Sequence, residues 1–141
     1  MKGKLKLISG KRLESPSTQK TRPTSSKVRE AIINILGNKL EDASWLDLFS
    51  GSGVMACEAL QKGAKRILAI EKQRATAQTC KKNLINVSNT LDHHFHIEVI
   101  CKEVISFLKK GPKNKKIEFF KYYENSDEKF DFVFLDPPYN S

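Results

Sequence analysis

Four apolar runs, each closed by a turn and most followed by a helix-patterned stretch, constrain this chain more than anything else in it. Trp45-Leu46-Asp47-Leu48-Phe49 runs into Gly51-Ser52-Gly53, and a helical pattern from Val54 to about Lys62 stops at Gly63. RILAIE (66–71) reads as a second strand, with a helix from Arg74 to about Ile85. HIEVIC (96–101) reads as a third strand, followed by a short helix through Phe107-Leu108 that ends at Gly111-Pro112, and FDFVFLD (130–136) as a fourth. Strands that are apolar nearly throughout are covered on both faces, and strands that alternate with helices form parallel sheets. The pattern predicts a doubly wound α/β fold with a parallel sheet.

Ahead of this rhythm lies a different kind of sequence. LKLI (5–8) and the segment from Lys11, separated by Ser9-Gly10, predict a small hairpin outside the main domain. Residues 15–25 are polar and turn-rich, and Pro16 and Pro23 oppose helix, so they read as an extended arm. A helix is expected from about Lys27 to Leu36, with Val28, Ala31, Ile32, Ile35 and Leu36 at helical spacing, Ser25 or Ser26 as its cap and Gly37 as its end. The expected organisation is a basic hairpin and arm at 1–25 and a ligand-binding domain at 26–141.

Charge separates the same two parts. Nine basic residues and the single acid Glu14 fall within residues 1–29, which carry +8 of the formal +9. Such asymmetry points to a polyanion met by the N-terminal segment. Lys4, Lys6, Lys11, Arg12 and Arg22 are the candidate contacts. Lys113, Lys115, Lys116 and Lys121 interleave with Phe119, Phe120, Tyr122 and Tyr123, a composition that suits stacking on unpaired RNA or an ordinary hairpin equally well. No apolar run nears the roughly 20 residues that span a bilayer, and no secretory h-region is present, so a cytoplasmic protein is expected. Cys57, Cys80 and Cys101 are scattered within apolar stretches and predict reduced core thiols. His93, His94 and His96 read as a solvated turn before a strand, and no metal is expected.

Two motifs carry chemistry. Gly51 and Gly53 let the backbone turn sharply and let a ligand lie against it at a helix N-terminus. Glu71 ends the second strand, where a carboxylate can accept both hydroxyls of an adenosine ribose. A dinucleotide, S-adenosylmethionine or an empty tight turn all satisfy this pattern. The fourth strand narrows the choice, because it ends in Asp136-Pro137-Pro138-Tyr139. Two prolines stop the strand and hold the backbone. The Asp136 carboxylate and the Pro137 carbonyl are then two acceptors beside the ring of Tyr139, a set suited to an aromatic amine. Its N–H groups are held from two sides while its base stacks. Accepting those hydrogens favours a localised lone pair, so positioning and electrostatics carry the reaction.

Together, D-x-F-x-G-S-G over Asp47–Gly53, the acidic end of strand two and D-P-P-Y resemble the class I amino-methyltransferases, whose fold is Rossmann-like. The arm Arg22-Pro23-Thr24, with Val28-Arg29-Glu30 and the helix after it, resembles the bacterial 16S ribosomal RNA guanine-N2 methyltransferase family, RsmD. The likeness runs from the hairpin to Tyr139. It implies S-adenosylmethionine as cofactor, held by Asp47, Phe49, Gly51, Ser52 and Gly53 at its methionine end, by Glu71 at the ribose and by Lys72 beside the adenine. It also implies Glu103 near the adenine amino group, where the family usually has Asp, and Thr24 at the border of the pocket. Asp136, Pro137 and Tyr139 would be the catalytic group, and ribosomal RNA or the small ribosomal subunit the partner. The sequence ends two residues after Tyr139, whereas the family fold continues with a helix and three strands. Strand four is therefore expected to be an apolar edge that another chain could cover. The rival readings are an adenine-N6 methyltransferase of DNA or RNA, an idle RNA-binding module, and an NAD-dependent enzyme.

Overall fold

The structure, a computed structural model, describes residues 5–16, 24–110 and 130–138. Lys4, Arg22, Tyr139 and the basic-aromatic stretch at 111–129 lie outside the described residues.

Ser25 caps the first helix, α1 (Ser26–Leu36), by accepting a hydrogen bond from the Val28 N–H, and Gly37 closes it at φ 51°. A short 3-10 turn (Gly37–Leu40) leads into β1 (Ser44–Leu48). The chain then runs α2 (Val54–Gln61), β2 (Arg66–Glu71), α3 (Arg74–Ser88), β3 (His96–Cys101), α4 (Val104–Lys110) and β4 (Phe132–Leu135). The doubly wound α/β reading holds: among the described residues four strands form a parallel sheet in the order β3-β2-β1-β4. Phe49, expected to end the first strand, lies one residue beyond it.

Chain order runs outward from β1 to β3 and then returns to place β4 on the other side of β1. The order in which strands are added reverses between β1 and β4, which remain parallel, and ligands bind at the carboxyl ends of such neighbours. Register aligns Trp45 with Phe132 and Leu48 with Leu135, so the residues just after Leu48 and Leu135 lie side by side. Asp131 pins the start of β4, its Oδ2 accepting the Ser44 N–H at 2.8 Å while the Asp131 N–H donates to Ser44 Oγ at 2.8 Å.

One face of the sheet packs Trp45, Ile67 and Ala69 under α1, α2 and α3, with the Trp45 ring stacked on Phe134 at 5.9 Å between centroids. The other face packs Leu46, Leu48, Leu68 and Ile70 against Val104 and Phe107 of α4. Burying each Leu or Ile side chain stabilises by roughly 1.5–3 kcal/mol. Val133 and Leu135 lie in register with Leu46 and Leu48 on this second face but remain 57% and 60% exposed. Among the described residues β4 lies at the edge of the sheet.

Three expectations change. The hairpin does not stand outside the domain: Leu5 and Leu7 enter the main core, and the Ile8 N–H bonds to Glu58 of α2. In α1 the residues turned inward are Arg29, Ile32, Ile33 and Leu36, whereas Val28, Ala31 and Ile35 face out. Cys57 and Cys80 are buried free thiols as expected, but Cys101 is exposed at the end of β3. Among the described residues no helix is long and apolar enough to cross a membrane, and no cluster of His, Cys, Asp and Glu suits a metal.

Candidate active site

The loop from Phe49 to Gly53 is built from three residues in the left-handed region: Phe49 at φ 58°, Gly51 at 55° and Gly53 at 82°. For glycine this costs little, but for an aromatic residue it is strain, of the sort found at ligand clamps. The Ser50 N–H still reaches the Ile70 carbonyl of β2 at 2.9 Å, and the Gly53 N–H closes the turn on the Ser50 carbonyl at 2.8 Å. The two glycines serve different ends. A side chain at Gly51 would meet nothing within 4 Å, so the backbone there faces open space. A Cβ at Gly53 would lie 2.6 Å from Cys80 Sγ, so Gly53 lets α2 approach α3. Phe49 packs against the α4-side core. Ser52 is buried, and its carbonyl accepts from Asn83 Nδ2 at 2.9 Å.

Asp47 sits beneath this loop, 1% exposed. Its carboxylate accepts from Trp45 Nε1 at 3.4 Å and from the Ala56 N–H in the first turn of α2. Burial pushes its pKa from 3.8 up to about 7; the bonds from Trp45 and Ala56 oppose the rise, and the charge of Asp136 adds to it. Glu71 lies where β2 ends. Its Oε1 accepts the Gly51 N–H at 3.3 Å and its Oε2 the Gln73 N–H at 2.7 Å. Two backbone bonds thus fix the carboxylate against the loop while leaving lone pairs on both oxygens. Lys72 and Glu103 are exposed beyond the ends of β2 and β3, on the same edge of the sheet.

Asp136 and Pro137 follow β4 directly and are exposed beside the Phe49–Gly53 loop. The Thr24 hydroxyl donates to Asp136 Oδ2 at 3.0 Å, joining positions 112 residues apart. Thr24, expected at the cofactor border, therefore touches the carboxylate expected to do the chemistry. Lys6 and Arg12 pair across the hairpin and point outward, with Lys11 half-exposed between them.

Three residues that sequence reasoning left without a role tie these parts together. Arg29 and Glu58 form a buried ion pair, Nε to Oε2 at 3.1 Å. Burial raises the Glu58 pKa, and the Ile8 N–H, Arg29 and Lys62 oppose it. Asn83 on α3 is wholly buried, accepting the Glu14 N–H at 2.8 Å and donating to the Glu14 and Ser52 carbonyls, each at 2.9 Å. The signal was available, because Arg29 lies three, four and seven residues before Ile32, Ile33 and Leu36, and Glu58 interrupts the apolar run from Val54 to Leu60. A charged residue on a buried stripe needs a partner.

Residues 3–141 match a family model described as conserved hypothetical protein 95. The chain belongs to this family, the RsmD family. Among curated RsmD-type sequences it is 32% identical over 143 residues to ribosomal RNA small subunit methyltransferase D of Haemophilus influenzae, covering 99% of this chain and 66% of the relative. It is 31% identical over 142 residues to the protein of the same name from Escherichia coli, covering 97% and 61%. The chain thus spans less than two thirds of the length of these curated relatives. The structure of a candidate methyltransferase, yhhF, from Escherichia coli aligns with a TM-score of 0.72 at 29% identity, over 98% of this chain and 66% of that one. The RsmD-family chain therefore carries the Rossmann-like class I methyltransferase fold expected of it.

Proposed function

We propose that this chain carries the donor-binding and methyl-transfer residues of an S-adenosylmethionine-dependent enzyme that methylates the exocyclic N2 of a guanine in small-subunit ribosomal RNA. The observation that carries this reading is the place of Asp136: exposed at the end of β4, beside the left-handed loop, with one carboxylate oxygen held by Thr24. Names of RsmD-family relatives support ribosomal RNA as the substrate class. The outward charges of the hairpin support a polyanion.

The residues present fit the donor. The backbone at Gly51 is open, as a cradle must be, and Glu71 is a fixed carboxylate beside it, suited to ribose hydroxyls. Lys72 and Glu103 remain candidates for the adenine side, and the N-terminus of α2 behind Ser52 suits a carboxylate. When bound, the donor supplies a methyl group already activated on a sulfonium. The chain has then to hold the amine. With Oδ2 engaged by Thr24, Asp136 offers Oδ1 to one N–H of the amine, and the Pro137 carbonyl takes the other. Tyr139 is the residue we assign to stacking on the base. Positioned acceptors of this kind contribute about 2.7–4 kcal/mol each to the transition state.

The test is product identity. RNA from cells lacking the protein is incubated with the chain and labelled S-adenosylmethionine, digested, and separated into nucleosides. Label in N2-methylguanosine, absent with Asp136→Ala, is the expected result. Label in N6-methyladenosine would overturn the guanine assignment, and label that persists with Asp136→Ala would overturn the role of Asp136.

A further inference from the structure

Val28-Arg29-Glu30 is the part of the sequence resemblance to which the donor loop and Asp136 assign no work, and Arg29 is the residue within it that the fold buries. Its guanidinium reaches three acceptors on three segments. Nε pairs with Glu58 Oε2 at 3.1 Å, Nη1 donates to the Thr24 carbonyl at 2.6 Å, and Nη2 donates to the Lys6 carbonyl. Glu58 Oε2 also accepts the Ile8 N–H at 2.9 Å. The pair therefore clamps the hairpin and the end of the arm onto α1 and α2. The residue whose carbonyl it grips, Thr24, is the one whose hydroxyl donates to Asp136 Oδ2 at 3.0 Å.

A buried ion pair is seldom more stabilising than apolar side chains of the same volume. Its distinctive property here is geometric: a planar fork satisfies several acceptors at fixed angles, which a lysine point charge cannot. We infer that Arg29 is a positioning residue for methyl transfer. Locked by Glu58, it fixes the backbone at Thr24, so that the Thr24 hydroxyl holds Asp136 in the orientation that presents its other oxygen to the acceptor amine. The inference rests on the role given to Asp136 above. It also links the hairpin to the reacting edge, because the Lys6 carbonyl and the Thr24 carbonyl share one guanidinium.

The experiment reads the linkage with and without chemistry. The side-chain carboxyl carbon of Asp136 is followed by nuclear magnetic resonance, and kcat and KM for RNA are measured, in Thr24→Val, Thr24→Ser, Arg29→Lys and the Thr24→Val/Arg29→Lys double variant. Thr24→Val and Arg29→Lys should each move the Asp136 resonance in the same direction, and the double variant should move it no further. Each single change should lower kcat about 10- to 100-fold, the range that misplacement of a reacting group produces. KM and S-adenosylhomocysteine affinity should stay within about twofold, and Thr24→Ser, which keeps the hydroxyl, should recover most of the kcat that Thr24→Val loses. Glu58→Ala, which removes the acceptor that locks Arg29, is the second route should Arg29→Lys fail to fold, and should move the resonance the same way. An Asp136 resonance unmoved by a folded Arg29→Lys or Glu58→Ala would overturn the inference. So would an Arg29→Lys effect on kcat as large in the Thr24→Val background as in wild type. If the resonances move as expected while wild type transfers no methyl group, the functional reading falls and the contact between Arg29, Thr24 and Asp136 stands.

Discussion

Asp47 sets up a measurable conflict between folding and pH. Its carboxyl is enclosed beneath α2, where burial raises the pKa from 3.8 to about 7. An acid whose pKa is raised on folding contributes stability that is fully present below the unfolded value and is lost as pH rises through the folded one. The window for Asp47 therefore runs from about pH 4 to about pH 7, with stability falling as pH increases and level above. At roughly 1.36 kcal/mol for each pH unit of that interval, the loss amounts to about 4 kcal/mol. Asp47→Asn removes the titration, and any constant cost of the amide cancels between two pH values. The stability of Asp47→Asn minus that of wild type should thus grow by about 4 kcal/mol between pH 4 and pH 8. Urea unfolding followed by fluorescence measures it, because Trp45 is the single tryptophan, is buried, and contacts this carboxylate. A difference that stays constant with pH would refute the reasoning, and would mean that Trp45 and Ala56 fully offset the burial of the charge. Cost on this scale at the base of a ligand loop is what a site kept for function, rather than for stability, leads one to expect.

Further outcomes follow from the same geometry. Gly51→Val meets no clash but is strained at φ 55°, so it should fold with lowered stability and lose S-adenosylhomocysteine binding by calorimetry, whereas Gly51→Ala, less strained, should fold and bind more weakly than wild type; tight NAD binding by wild type would sink the donor assignment. Gly53→Ala should cost about 2–4 kcal/mol in urea unfolding, from its left-handed φ and the clash with Cys80, and Cys80→Ala should restore only the clash portion. Asp136→Ala in methyl-transfer assays should lower kcat by about 10²–10³ with little change in donor affinity. Replacing Lys6, Lys11 and Arg12 with Gln should weaken RNA binding and flatten the slope of log affinity against log salt by about 2 for three lost single-strand contacts, with the same nucleoside modified. An unchanged slope would show that these charges do not meet phosphate.

What could be read from the sequence, and what could not, divides along one physical line. Apolar runs between turns were enough to place all four strands and to predict a parallel, doubly wound sheet, because strands buried on both faces are apolar nearly throughout. The order β3-β2-β1-β4 came only with the structure. The turn at Gly51 and Gly53 and the end of β4 were legible because backbone demands leave marks, a glycine where φ is positive and prolines where a strand must stop. The α1 face was misjudged because apolar spacing was counted alone. Val28, Ala31 and Ile35 have helical spacing, but the face that goes inward carries Arg29 with Ile32, Ile33 and Leu36. A polar residue enters a core only with a partner, and that partner, Glu58, lies on another helix 29 residues away. Each helix marks its own buried charge, but no local pattern says that the two meet. The same blindness inflated the surface charge of the N-terminal segment, because one of its nine basic residues is Arg29, buried and paired. The segment's charge therefore divides in two. Lys6 and Arg12 are turned outward and free to meet a polyanion, whereas Arg29 is turned inward, holding the arm against the carboxylate on which the proposed chemistry depends.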